Sequence, residues 1–143
     1  MTSRQWIGIA LVAAGGLAYY RHSRRQKVVD KARSYEGVTY RLGGSNYETS
    51  DCSGMTRNAY RAVGIELPRV ARQQRQTGQA VDVSALAPAD LVYVRSTGAH
   101  DHVGIFGGED DVIHCSSSKG KCYVDSLARW KRVKILHGAR RFL

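Results

Sequence analysis

Two residue types in this chain could carry nucleophilic catalysis together: a cysteine in a turn setting and histidines in short apolar runs. Cys52 stands in Ser50-Asp51-Cys52-Ser53-Gly54, among small polar residues that favour a turn over a core position. Met55, Ala59 and Val63 come next at intervals of four, one apolar stripe of a helix, and Gly64 supplies a stop. Cys52 is therefore expected in the first turn of a helix. Unpaired backbone N–H groups and the helix dipole favour negative charge there, and a thiolate is the reactive form of cysteine. Asp51 or Ser50 would cap that helix.

A thiol nucleophile needs a base. Of the five histidines, His102 opens the β-type run His102-Val103-Gly104-Ile105-Phe106, and His114 lies in a second, Asp111-Val112-Ile113-His114-Cys115. Gly-Gly-Glu-Asp joins the two runs, which is hairpin chemistry. Paired as neighbours, the runs can bring both imidazoles to one face. His100 competes with His102, being an even step away on the same strand face. Cysteine, histidine and a third polar residue form the arrangement of a cysteine hydrolase.

With these residues in place, the chain from about Ala32 onwards resembles the NlpC family of papain-like cell-wall cysteine peptidases. Five pieces in the family's order carry the resemblance. They are Tyr35-Glu36-Gly37-Val38-Thr39-Tyr40-Arg41-Leu42-Gly43-Gly44, Asp51-Cys52-Ser53-Gly54, Leu67-Pro68-Arg69, Leu86-Ala87-Pro88-Ala89-Asp90-Leu91, and His102-Val103-Gly104-Ile105 with Ile113-His114 after it. Thr39, Leu42 and Ala89 depart from the family's usual Pro, Trp and Gly, which bears on the shape of the cleft more than on the chemistry.

The resemblance implies Cys52 as nucleophile, His102 as base and His114 as the residue that orients His102. It also implies Tyr40 as a hydroxyl beside the nucleophile, and Asp51 and Ser53 as ligands of a stem peptide's free amine. Each has a plainer reading: a core aromatic for Tyr40, helix caps for Asp51 and Ser53, an inward polar residue of the sheet for His114. The implied reaction is hydrolysis of a peptidoglycan stem peptide between D-glutamate, through its γ-carboxyl, and the next diamino acid, through a thioester. No cofactor is implied. Lipid acyltransferases and thioesterases of related fold are the enzymatic alternative, but they generally place His before Cys, whereas Cys52 precedes His102 here. A non-catalytic phage-tail or wall-binding module is the other.

The elements that must position these residues read as helices first, then strands. A helix is expected over Ser23–Glu36, with Val28, Val29, Ala32 and Tyr35 on one side, and a short polar helix over Val70–Thr77. Strands are expected at 91–95, 102–106, 111–116, 121–126 and 133–137. That order gives an α+β class, and the resemblance implies a papain-like fold with the nucleophile helix packed on a small antiparallel sheet.

Cys115 and Cys122 face each other across the symmetric hairpin around Ser117-Ser118-Lys119-Gly120, within reach of a disulfide if the pair is not hydrogen-bonded. The alternative is two small reduced strand residues. Adjacent His114 and Cys115 point to opposite faces, so they do not share a metal ion, and none is expected.

The 143 residues leave room for one domain, expected at 23–143 and preceded by a hydrophobic segment with a basic flank, 1–22. The net charge of +10 is concentrated at the ends. Residues 1–36 carry seven Lys/Arg against two Asp/Glu, and residues 129–143 carry six against none. Basic ends suit an anionic surface, but no nucleic-acid motif accompanies them and no nucleic-acid partner is expected. Trp6 to Tyr20 is an uncharged run of 15 residues, and Arg21, Arg24, Arg25 and Lys27 come directly after it. It reads as a short membrane anchor, or as a signal peptide cut after Gly16-Leu17-Ala18; a single basic residue before it, Arg4, favours the anchor. The arginine-rich flank would hold the catalytic part of the chain in the cytoplasm, which conflicts with work on the wall. The expected setting is a bacterial cell envelope (inner-membrane-anchored, periplasmic or secreted) or a phage virion, and the expected state is a monomer.

Overall fold

A computed structural model describes residues 3–95 and 101–143. His100 lies outside the described residues. Helix α1 (Ser3–Arg33) comes first, and the short strands β1 (Thr39–Tyr40) and β2 (Thr49–Ser50) lead to α2 (Cys52–Arg61). Next come α3 (Ala71–Gln74), β3 (Gln79–Val81), β4 (Leu91–Arg95), β5 (Asp101–Gly108), β6 (Asp111–Ser116), β7 (Lys121–Ser126), α4 (Leu127–Val133) and β8 (Ile135–Arg141). The strands form one sheet in the order β2-β1-β7-β6-β5-β4-β8-β3. Every pairing is antiparallel except β1 with β2. The α+β expectation therefore holds.

Alternation along the strands splits the core into two layers. Val103, Ile105, Ile113 and Cys115 face α1 and α2, where Val28, Val29, Ala32, Tyr35, Met55, Ala59 and Tyr60 are buried against them. Val92, Val94, Phe106 and Val112 face the other way, onto Leu127 and Trp130 of α4. Gly104 makes the second layer possible: a Cβ there would stand 2.6 Å from Val112 Cγ1 and 2.9 Å from the Trp130 ring.

The membrane reading of residues 6–20 is overturned. α1 runs unbroken from Ser3, longer than the helix expected from Ser23, because its Ala- and Leu-rich run favours helix and Gly15-Gly16 does not interrupt it. Yet no helix among the described residues is long and apolar enough to cross a membrane. The uncharged run stops at Arg21, short of the roughly 20 apolar residues a span needs. Neither a transmembrane helix nor a membrane partner through residues 6–20 stands.

At Ala89, φ is +77°. A left-handed residue with a side chain costs roughly 1–2 kcal/mol. Glycine would relieve that cost, but would lose a buried methyl worth about 0.8 kcal/mol and add about 0.5–1 kcal/mol of unfolded-chain entropy. The effects nearly cancel, so alanine is tolerated in this turn.

Cys115 and Cys122 are opposed in the β6–β7 register and joined by a disulfide, while Cys52 is free. The Cys122 N–H bonds to Val38 O and the Cys122 carbonyl accepts from Gly37 N, so neither group is used toward Cys115. This is the non-hydrogen-bonded register, in which side chains approach most closely. The bridge is buried on the α1/α2 face, opposite His114. Closing so short a loop is worth about 2–3 kcal/mol on the chain-entropy model. Urea unfolding of oxidised and reduced protein should differ by that amount, and non-reducing peptide mapping should find Cys52 outside the bridge. Equal stabilities, or a bridge to Cys52, would contradict the pairing.

Candidate active site

Asp51 sets the start of α2. Its Oδ1 accepts the Gly54 N–H at 2.7 Å as an N-cap, and its Oδ2 accepts the Gly43 N–H at 2.8 Å. Arg69 closes the group with a bond to each oxygen, both 2.9 Å, and its Nη2 also donates to Gly44 O at 3.1 Å. One carboxylate thus ties the helix, the loop before it and the Leu-Pro-Arg segment together. Gly54 is needed for this closeness, since a Cβ there would stand 2.4 Å from Gly44 O. Ser53 is buried and donates to Asp51 Oδ1 at 3.3 Å.

This frame aims Cys52 at β5. The Cys52 residue reaches the surface in part, but its thiol is enclosed, and burial pushes the thiol pKa up to about 11. Three backbone N–H groups act the other way: that of Val103, next to His102 in the chain, then those of Ser53 and Cys52 itself. Nearby Asp51 pushes in the same direction as burial. Tyr40 pairs with Ser50 across β1–β2. Burial first, then Cys52 and Asp51, hold its hydroxyl above the ordinary tyrosine range.

His102 and His114 come together on the α4 face. His102 Nε2 lies 2.8 Å from His114 Nδ1, with the rings edge to face. Trp130 packs against both. Burial drives both imidazoles neutral: His102 falls to about 3, with His114 and then Lys134 adding to the effect, and His114 falls to about 4, with Lys134 adding and Asp125 opposing. Since His102 Nε2 is engaged with His114, Nδ1 is the nitrogen left for a thiol.

Sequence reasoning missed three contributors. Asp125 on β7 faces His114 from behind, with Oδ2 3.6 Å from His114 Nε2. Trp130 forms the floor under both rings. Lys134 lies over the Trp130 ring at 4.8 Å, and burial lowers its pKa. Asp125 could have been found. It lies two residues beyond Tyr123, which pairs with His114, so it shares that face. α4 falls between two expected strands, where Ser126 as cap and the Leu127–Trp130 spacing were the signal that could have found it. Among the described residues, no group of three metal-ligating side chains comes together.

The NlpC/P60 family model matches residues 37–141. A protein of Escherichia coli K12 named murein DD-endopeptidase MepS/murein LD-carboxypeptidase is 38% identical over 97 residues, covering 67% of this chain and 52% of the relative. The gamma-DL-glutamyl hydrolase of Bacillus subtilis is 38% identical over 121 residues, covering 80% of this chain and 29% of the relative. The crystal structure of the NlpC/p60 domain of peptidoglycan hydrolase SagA superposes with a TM-score of 0.71 at 27% identity, covering 82% of this chain and 98% of that one. The chain spans about half the length of the E. coli relative, and less of the B. subtilis one.

The buried neutral imidazoles make stability depend on pH. Both folded pKa values lie below the ordinary imidazole value near 6.5, so between pH 6.5 and about 4 the unfolded chain binds protons that the folded chain does not. Their contribution is full above pH 6.5 and is lost as pH falls toward 4, by up to about 1.4 kcal/mol per pH unit for each imidazole. Urea unfolding should show lower stability at pH 5 than at pH 7, above the range where most carboxylates titrate. His114→Asn should reduce that slope. A slope unaffected by the substitution would contradict the burial of a neutral His114.

Proposed function

Since the chain belongs to the NlpC/P60 family, we propose that it is a cysteine peptidase that hydrolyses peptide bonds of bacterial cell-wall stem peptides, working in the cell envelope. The observation that carries this reading is a free cysteine at a helix start whose thiol takes the Val103 N–H, one residue along β5 from the hydrogen-bonded His102–His114 pair. His102 Nδ1 takes the Cys52 proton as the sulfur attacks the scissile carbonyl. The Cys52 N–H, at the open first turn of α2, and the Tyr40 hydroxyl stabilise the oxyanion. His102 then returns the proton to the leaving amine, a thioester remains on Cys52, and water hydrolyses it with His102 again as base. His114 holds the ring of His102.

The bond cut is the one joining the γ-carboxyl of D-glutamate to the following diamino acid. On this reading Ser53 and Asp51 meet the stem peptide's free amine. A second reading, cleavage of a D,D cross-link, is favoured by the name of the E. coli relative and by the state of Asp51. That carboxylate is buried, and both its oxygens already accept from Arg69 and from backbone N–H groups. Little of its charge is left for a substrate ammonium.

Purified peptidoglycan digested with the full chain and analysed by mass spectrometry tests both readings. Release of fragments ending in γ-D-glutamate supports the first, and resolution of cross-linked dimers into monomers supports the second. Cys52→Ala should abolish either activity with the fold retained, and Cys52→Ser should be nearly as inactive. His102→Ala should slow turnover by about 100-fold or more. Wild-type hydrolysis by Cys52→Ala would end the peptidase proposal.

A further inference from the structure

Behind the histidine pair lies a buried carboxylate that takes no proton in the reaction. Asp125 stands on β7, the strand next to that of His114, and its side chain is 8% exposed. It is rigidly held. Oδ2 accepts from the Tyr123 hydroxyl at 3.0 Å, the Trp130 indole N–H at 3.1 Å and Arg129 at 3.1 Å, and Oδ1 accepts the Ser126 N–H at 2.8 Å. Among these partners only Arg129 offsets its charge directly, and that side chain is 46% exposed. Facing this carboxylate at 3.6 Å is His114 Nε2, a buried nitrogen with no hydrogen-bond partner among the described residues.

The His102–His114 hydrogen bond can run in two directions. If His114 Nδ1 carries the proton and donates to His102, its Nε2 presents a bare lone pair to the carboxylate, which is repulsive in a buried setting. The proton of His102 then sits on Nδ1, where a base for the thiol is needed. If instead His114 carries its proton on Nε2, that N–H points at Asp125. His114 Nδ1 then accepts from the His102 Nε2–H, and His102 Nδ1 is left with a free lone pair. Only the second order gives a working base, and it is the order that a negative charge behind His114 selects.

We propose that Asp125 is a positioning residue of the catalytic centre, acting through His114 to fix the direction of the histidine–histidine hydrogen bond and so the tautomer of His102. This rests on the peptidase reading of the site. The 3.6 Å separation is longer than a hydrogen bond in the resting enzyme. It shortens when His102 takes the thiol proton and positive charge spreads to His114, as catalytic contacts do on the way to the transition state. Lys134, on the same face, opposes that charge, which leaves Asp125 as the anion that favours it.

Nitrogen-15 NMR of the histidine rings in the full chain tests the proposal without a variant and without activity. At neutral pH, His114 should show a protonated Nε2 and an unprotonated Nδ1, and His102 a protonated Nε2. A proton on His114 Nδ1 would overturn the proposal, whether or not the protein cuts peptidoglycan. Failure of wild type to cut any wall peptide would overturn the peptidase reading while leaving the tautomer measurement standing. Asp125→Asn supplies the functional arm, because it keeps the shape and an acceptor oxygen but removes the charge. Its kcat should fall about 10-fold or more with KM within about 2-fold, and its His114 should populate both tautomers. Asp125→Leu should lose more activity, and unchanged kcat in a folded Asp125→Asn would contradict the role.

Discussion

The hydrogen bond between His102 and His114 is the interaction on which the rest of this structure depends. Two neutral imidazoles meet at 2.8 Å beside a layer of valine, leucine, phenylalanine and tryptophan side chains, with Tyr123 and Asp125 behind His114. An isolated polar ring in such a layer would leave a donor or acceptor unmet, at a cost of about 1–3 kcal/mol. Each ring answers part of the other's need, and the sheet is built to keep them together. The β6–β7 ladder presents His114, the buried disulfide pins that ladder from its other face, and Gly104 leaves the gap that Trp130 fills beneath the rings.

The thiol is delivered from the opposite layer by a separate device. Asp51 joins the first turn of α2 to Gly43 and to Arg69, so Cys52 is fixed by a loop, a helix and an arginine at once. The two halves of the site are therefore carried by different elements and meet at the start of β5, where the Val103 N–H reaches the thiol one residue from His102. Thiol and imidazoles rest there uncharged. Burial raises the thiol pKa and lowers those of the imidazoles, so a standing ion pair is disfavoured. On the proposed mechanism the proton moves as the sulfur attacks, and charge appears only as the reacting carbonyl receives it.

Much of this was legible in the residues. The four-residue spacing of Met55 and Ala59 and the stop at Gly64 marked α2, and the turn residues around Cys52 marked its start. The apolar runs holding His102 and His114 marked β5 and β6, and the symmetric hairpin marked the Cys115–Cys122 register. β1, β2 and β3 were not legible, because strands of two or three residues show no periodicity. α4 was hidden between two expected strands, although Ser126 as cap with Leu127 and Trp130 three apart marks a short helix. The C-terminal strand began and ended later than expected because of that helix. The apolar run at residues 6–20 misled in the other direction: it has the composition of a membrane segment without the length. Asp125 escaped notice because a single acid in a strand is ordinary until its neighbour across the ladder is known to be a buried histidine.

Whether His102 serves Cys52 as its proton acceptor is tested most directly by the rate at which iodoacetamide alkylates Cys52 at pH 7, read from the mass of the Cys52 peptide, in wild type and in His102→Ala. A thiol buried to a pKa of about 11 has almost no thiolate at that pH, so it reacts only as a base takes its proton during the attack. With His102 as that base in wild type, His102→Ala should label more slowly by about 100-fold. Equal rates in the two proteins would contradict the assignment of His102 as the base.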